Sequence, residues 1–139
     1  METTVLESGF LLADVFFREK KHVKVREAGI KDVKRAARLL DNLLNLYLEK
    51  GPEGDAVNKE SIVNFVLDYF EPMSDWIYQI ISIVTDEPYE EVCGWPPGLL
   101  FSVIEAVVEI NYESYMQFKQ MTGTIKKKIR TKAGIPTKG

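Results

Sequence analysis

The sequence predicts an all-α fold: a single small domain of about five helices, with an irregular N-terminal arm and a disordered basic C-terminal tail. Apolar residues recur at helical spacing over two long stretches, one beginning near Val33 and one near Leu100. Residues 122–139 are basic and offer little apolar surface to offset the entropy of ordering them. We therefore divide the chain into an arm at 1–27, a helical domain at 28–121 and a tail at 122–139.

Residues 1–27 form the least regular part of the predicted fold. The run His22–Arg26 alternates polar and apolar residues as an exposed strand does, but a single strand has no obvious partner. A strand and an irregular arm are equally compatible with this segment. Phe16 and Phe17 are costly to leave in water, so we expect the arm to dock on a helix of its own or of another subunit.

The first long helix is predicted to follow Gly29, with Asp32 as its N-cap residue. Its apolar positions form one broad face: Val33, Ala36, Ala37, Leu39, Leu40, Leu43, Leu44, Leu46, Tyr47 and Leu48. We expect a face of this width to be covered from two sides, with another subunit as one candidate for the second cover.

Two shorter helices follow a predicted loop at Gly51–Asp55. Asn58 is expected to cap the first of them, and Pro72 is expected to end it. Residues 74–75 are expected to begin the second, which ends near Thr85. Both helices are strongly apolar, so they are predicted to lie in the core.

The last helix is predicted to be the longest and to organise the domain. A short helical turn at Pro88–Val92 and a break at Gly94 precede it, and Pro96 and Pro97 suit a helix start because proline lacks an N–H. Its apolar face consists of Leu100, Val103, Ile104, Val107, Val108, Tyr115 and Phe118. Residues 122–124 interrupt this spacing, so the helix is expected to end there.

Two features of the last helix depart from a simple amphipathic pattern. Glu105, Glu109 and Glu113 lie one turn apart on its polar face. They form either a solvated face or a docking strip for a basic partner, including the basic tail of another subunit; no interleaved histidine supports a metal site. Asn111 falls on the apolar face, where an unpaired amide costs about 1 to 3 kcal/mol. It is expected either to bond to the Trp95 corner or a loop carbonyl, or to mark an interface.

The charge of the chain is divided unevenly. The whole chain carries −3, and residues 122–139 hold six basic side chains and no acid, so residues 1–121 carry −9. The basic side chains of the tail include Lys126, Lys127, Lys128 and Arg130. Lysine runs can bind nucleic-acid phosphates, but the acidic body would repel them. A solvated or protein-docking tail is preferred, and a nucleic-acid-associated regulatory protein is the alternative function.

Residues that usually carry catalysis or bind metals are scarce. Cys93 and His22 are the single cysteine and the single histidine, and no glycine-rich phosphate loop is present. We predict no enzymatic activity, no cofactor and no metal. No apolar run reaches the roughly 18 to 20 residues of a membrane span, and the N-terminus lacks a basic signal region. A soluble, cytoplasmic protein without membrane contact is therefore expected.

Three short runs around the start of the last helix form a distinctive pattern. They are IVTDEPYEEV at residues 83–92, GWPP at 94–97 and VIEAVVEIN at 103–111, followed by an aromatic residue at Tyr115 or Phe118. Together they resemble the tail assembly chaperones of long-tailed, siphovirus-type phages. The resemblance covers roughly residues 74–118.

This resemblance implies an all-helical protein without catalytic residues that binds the long, hydrophobic tape measure protein during tail assembly and forms a homo-oligomer around it. It also implies the tail tube protein as a partner, because many members have a frameshifted longer product whose second domain recruits it. The family is expected to act in the cytoplasm of the host cell. The candidate partner-binding or interface residues are Phe16, Phe17, Trp95, Asn111, Tyr115 and Phe118.

Overall fold

The computed structural model of the chain describes residues 1–50 and 58–132, and the side chains of these residues except Leu40, Leu44, Leu48 and residues 115–132. Three strands form one sheet: β1 (Glu2–Val5), β2 (Leu11–Phe17) and β3 (Lys21–Arg26). The described helices are α1 (Ile30–Arg35), α2 (Ala37–Lys50), α3 (Lys59–Asp68), α4 (Phe70–Thr85), α5 (Tyr89–Cys93) and α6 (Pro97–Lys132).

The prediction of an all-α fold with an irregular arm is wrong, because residues 2–26 form an antiparallel sheet in the order β1-β2-β3. The alternating run in β3 finds its partner in β2, where Val15 lies opposite Val23 and Ala13 lies opposite Val25. These four apolar side chains point to one face of the sheet and are buried, since successive residues of a strand face opposite sides. The fold is therefore a mixed one, with helices packed on a small sheet.

Two tight turns connect the strands. Gly9 has a positive φ of 89° in the turn between β1 and β2, a conformation that glycine adopts without steric cost. Between β2 and β3, Arg18 and Glu19 have positive φ values of 51° and 58°. Tight hairpin turns require such values, although neither residue is one that favours them.

The core lies between the inner face of the sheet and the helices. α6 packs on β2 and β3, and α4 packs on β3 and on α6. The buried apolar side chains come from both layers: Ala13, Val15, Val23, Val25, Phe65, Met73, Ile77, Ile81, Val84, Val92, Leu99, Leu100, Val103, Ile104, Ala106 and Ile110. The sheet thus provides one wall of a core that sequence periodicity assigned to helices alone.

Several predicted helix ends are different in the structure. The long helix expected after Gly29 is divided at Ala36 into α1 and α2, and Gly29 rather than Asp32 is the N-cap residue of α1. Pro72 lies in the first turn of α4, where its missing N–H is tolerated, and does not end α3. Residues 122–132 continue α6, so the break expected there is wrong for these residues.

Other predicted helix ends are confirmed. Asn58 caps α3, because its side-chain oxygen accepts a hydrogen bond of 2.8 Å from a backbone N–H one turn into the helix. α4 ends at Thr85 and α6 begins at Pro97. The predicted loop Gly51–Asp55 and the tail residues 133–139 lie outside the described residues.

An ion pair between the half-buried Arg26 and the buried Asp32 fixes the sheet to the helices. The Arg26 guanidinium donates to Asp32 in α1 at 2.5 Å and to the Ile83 carbonyl in α4 at 2.6 Å. The Asp32 carboxylate also accepts a hydrogen bond of 2.9 Å from the Gly29 N–H. The Arg26 hydrogen bond lowers the pKa of Asp32 below its ordinary value of 3.8. Arg26 therefore joins the end of β3 to two helices.

Candidate protein-docking surfaces

Phe17 and Trp95 lie at the margin of the core, beside the start of α6. Both side chains are half-buried and pack on the core cluster. A Cβ at Gly98 would lie 3.0 Å from the Phe17 ring, so glycine at this position leaves room for the contact. The Lys21 ammonium lies 6.0 Å from the centroid of the Trp95 ring. These two predicted site residues help to hold the β2–β3 hairpin against α6.

Phe16 lies at the surface and is 62% exposed. Its ring stacks on the His22 imidazole, with the ring centroids 4.4 Å apart and the planes 8° from parallel. His22 Nε2 in turn lies 2.7 Å from Asp14 Oδ1. The neighbouring strand thus supports one side of the Phe16 ring and leaves much of the side chain open to solvent.

Asn111 forms its hydrogen bonds inside the chain. Its Oδ1 accepts a bond of 2.9 Å from the Ala28 N–H, in the segment between β3 and α1. Its Nδ2 donates to the Val107 carbonyl of the preceding turn at 2.8 Å. The partners expected from the sequence were the Trp95 corner or a loop carbonyl, whereas the structure pairs the Asn111 side-chain oxygen with a loop N–H. Asn111 is thereby a link between the sheet and α6.

The remaining predicted site residues are described only by their backbone. Tyr115, Phe118, Lys126–Lys128 and Arg130 belong to α6, which the structure describes as a helix as far as Lys132. Their side chains lie outside the described part of the structure. The predicted site residues therefore separate into an aromatic pair beside the start of α6, an exposed Phe16, and an internally bonded Asn111.

A groove of about 270 Å³ lies between the sheet and α6. The residues that line it are Met1, Val15, Phe16, Ser102, Glu105, Ala106 and Glu109. We call it the acidic groove, because Glu105 and Glu109 line it together with apolar side chains. Glu109 accepts a hydrogen bond of 2.7 Å from Lys59 of α3, and this bond raises the pKa of Lys59. The groove therefore combines apolar contact area with carboxylates on the flank of α6.

A second surface joins the β1–β2 turn to the beginning of α1. The Phe10 ring lies beside Gly29, where a Cβ would be 3.6 Å from it, and the Phe10 carbonyl accepts a hydrogen bond from the Leu6 N–H. The next residue along the chain, Ile30, is 77% exposed, and Val33 follows one turn later at 48%. We call Leu6, Phe10, Ile30 and Val33 the hairpin patch. All four are large apolar residues that the monomer leaves exposed.

The hairpin patch was not expected from the sequence. Val33 was predicted to belong to the broad apolar face of the first long helix, and Ile30 had no predicted role. Ile30 and Val33 are three positions apart within the basic run that contains Lys31, Lys34 and Arg35. This spacing places both apolar side chains on one side of a single turn. That spacing was available in the sequence, but the neighbouring Phe10 was not, because the hairpin brings it there.

A third surface is a row of aromatic rings on α4, α5 and α6. The Phe70 ring makes edge-to-face contacts with Tyr78 and Phe101, with centroids 5.9 and 6.3 Å apart. Tyr78 continues the row to Tyr89, whose hydroxyl donates a short hydrogen bond to Asp75. This hydrogen bond raises the pKa of Tyr89. Such edge-to-face pairs stabilise the packing of the three helices, so the row is accounted for by the fold itself.

The described residues form a small sheet-and-helix domain with an exposed apolar patch and a groove lined by carboxylates. In the described residues, no group of three histidine, cysteine, aspartate or glutamate side chains is arranged to hold a metal ion. No described helix combines the length and apolar character needed to cross a membrane. Comparison of the chain with protein-family models, with curated proteins and with solved structures gives no match.

Proposed function

We propose that the chain is a tail assembly chaperone of a long-tailed phage, which associates with itself and binds the tape measure protein through the hairpin patch. The observation that supports this proposal is the exposure of four large apolar side chains on two segments that the Phe10 ring brings together beside Gly29. Large exposed apolar surfaces are typical of protein-binding sites, because covering them removes apolar area from water. The pattern at residues 83–111 supplies the phage context.

The chemistry of the hairpin patch suits an apolar helix. Ile30 and Val33 project from one turn of α1, and Phe10 and Leu6 extend the same surface from the hairpin. A partner helix with apolar residues three and four positions apart can bury its stripe against such a surface. The tape measure protein is the proposed partner because the resemblance implies a long, hydrophobic client. The tail tube protein remains a second proposed partner, of a longer product.

The experiment is co-purification of the tagged chain with co-expressed segments of the tape measure protein. Ile30→Asp should reduce recovery of the segment at least tenfold, because a charge would replace the most exposed apolar side chain of the patch. Leu67→Asp is the matched control, since Leu67 is also an exposed apolar residue, at 37%, but lies in α3. It should bind as the native chain does.

Two results would overturn this proposal. Equal recovery with Ile30→Asp and with the native chain would remove the hairpin patch as the binding surface. Failure of the native chain to bind any tape measure segment, together with a strictly monomeric state by light scattering, would remove the chaperone function. The alternative function, a nucleic-acid-associated regulator, rests on the composition of the basic tail alone. The absence of a mobility shift with nucleic acid at low salt would exclude it.

A further inference from the structure

The layer of helices does not extend over β1. A helix is about 10 Å wide and strands are about 4.8 Å apart, so one helix covers roughly two strands. α6 occupies the position over β2 and β3, and all four residues of β1 are exposed. Thr3 lies opposite the buried Ala13 on the same face of the sheet, yet it is exposed. The acidic groove lies where this uncovered face meets α6.

We propose that the acidic groove receives the basic C-terminal part of α6 from a second copy of the chain. This inference rests on the self-association included in the proposed function, and it identifies the two surfaces that meet. An added helix would lie beside α6 and cover β1. Met1, which is 61% exposed and lines the groove, would supply apolar contact to it.

The opposite charges of the acidic groove and of the basic end of α6 favour a second copy of the chain as the occupant. Glu105, Glu109 and Glu113 follow one another along the flank of α6. Of these three glutamates, only Glu109 has an ion-pair partner among the described residues. Residues 122–132 contain five basic residues and no acid. A basic helix placed against this flank would bring opposite charges together, which favours the contact and guides its formation.

The basic segment cannot reach the groove of its own chain. Glu105 and Lys126 belong to the same helix, α6, and are about 32 Å apart along its axis at 1.5 Å per residue. Among the residues of α6 whose side chains are described, which end at Ser114, the last buried one is Ile110, and the helix backbone continues to Lys132. The basic end is therefore carried away from the groove, and contact between the two needs another copy.

Such a contact is directional. One copy contributes its groove and the other its basic helix end, so each copy retains one free surface of each kind. A head-to-tail contact of this type builds open chains or closed rings rather than stopping at a symmetric dimer. The expected assemblies therefore grow with concentration and shorten as salt screens the charges.

The experiment uses two complementary full-length variants. The groove variant carries Glu105→Lys and Glu109→Lys, and the tail variant carries Lys126→Glu, Lys127→Glu and Lys128→Glu. Each alone should lose at least tenfold in self-association by light scattering and sedimentation. A 1:1 mixture should regain self-association, because the native basic end of the groove variant can occupy the native groove of the tail variant, and the reversed groove and reversed tail that remain again carry opposite charges.

A control separates the groove from a general change in charge. Asp41→Lys with Glu49→Lys makes the same change on exposed residues of α2 and should leave assembly unchanged. Assembly of the groove variant at the native level would overturn the groove contact while leaving the proposed function intact. Mixtures that stay monomeric would overturn the pairing of these two surfaces. A monomeric native chain would instead contradict the self-association in the proposed function.

Discussion

The two outer strands of the sheet, β1 and β3, are held by the rest of the molecule in different ways. β3 buries Val23 and Val25, which are 1% and 0% exposed, against the helices, and its last residue, Arg26, binds α1 and α4. β1 pairs with β2 along its length, but all four of its residues are exposed. The two strands belong to one sheet, yet only β3 is built into the core.

This difference separates the part of the sheet that stabilises the fold from the part that the helices leave exposed. Burial of a valine side chain stabilises a protein by about 1.5 to 3 kcal/mol, and β1 gains no such contribution within the monomer. The proposed binding of a second copy in the acidic groove would therefore cost the domain little stability. The same substitution in the two strands should then have very different effects.

Val23→Ala and Val5→Ala test this comparison most directly. Val23→Ala should lower the free energy of unfolding by about 2 to 3 kcal/mol, because it removes two buried methyl groups and leaves a cavity. Val5 is 68% exposed, so Val5→Ala should cost less than about 1 kcal/mol. Urea unfolding of the monomeric protein measures both. Since the two changes are chemically identical, equal losses would show that β1 is part of the core after all.

A second test concerns the polar contacts at the end of β3. Arg26→Ala should cost about 2 kcal/mol, because the buried Asp32 carboxylate and the Ile83 carbonyl lose their donor. Lys24→Ala is the matched control on the outer face of the same strand, and should change stability by less than about 0.5 kcal/mol. A loss for Arg26→Ala no larger than that of the control would mean that burial alone holds β3.

The sheet could be predicted only in part, for identifiable reasons. β3 alternates clearly, but in β2 the outward-facing positions include Leu12 and Phe16, which hide the period of two that marks a half-buried strand. The turn between them contains Arg18 and Glu19 with positive φ instead of the glycine or asparagine that signals a hairpin. Because the sequence carries no recognisable hairpin signal, it offered no pairing strand for β3, and an irregular arm was an equally acceptable prediction.

The candidate surfaces, like the sheet, could be predicted only in part. The three glutamates on α6 follow from helical spacing. Two of them, Glu105 and Glu109, line the acidic groove, which also requires Met1 and β2, and spacing within a helix cannot place these. The amide of Asn111 was recognisable as an anomaly on an apolar face. Its partner, the Ala28 N–H, is 83 residues away in the chain, so only the folded arrangement identifies it. Local sequence patterns therefore identified the glutamates and Asn111 as unusual residues, but their partners depend on contacts between segments far apart in the chain.

The smallest of the expected effects is a pH dependence of the free energy of unfolding that arises from Asp32, the partner of Arg26 at the end of β3. Hydrogen bonding from Arg26 lowers the pKa of Asp32 below 3.8 in the folded state, so Asp32 binds its proton more readily when the chain is unfolded. Its stabilising contribution is complete well above pH 3.8 and is lost as the pH falls through the folded pKa. Asp32→Asn should therefore flatten the loss of stability in acid, measured by urea unfolding between pH 6 and about pH 3. Asp41→Asn, on the exposed side of α2, should keep the native pH profile, and an unchanged profile for Asp32→Asn would show that this ion pair does not contribute to acid sensitivity.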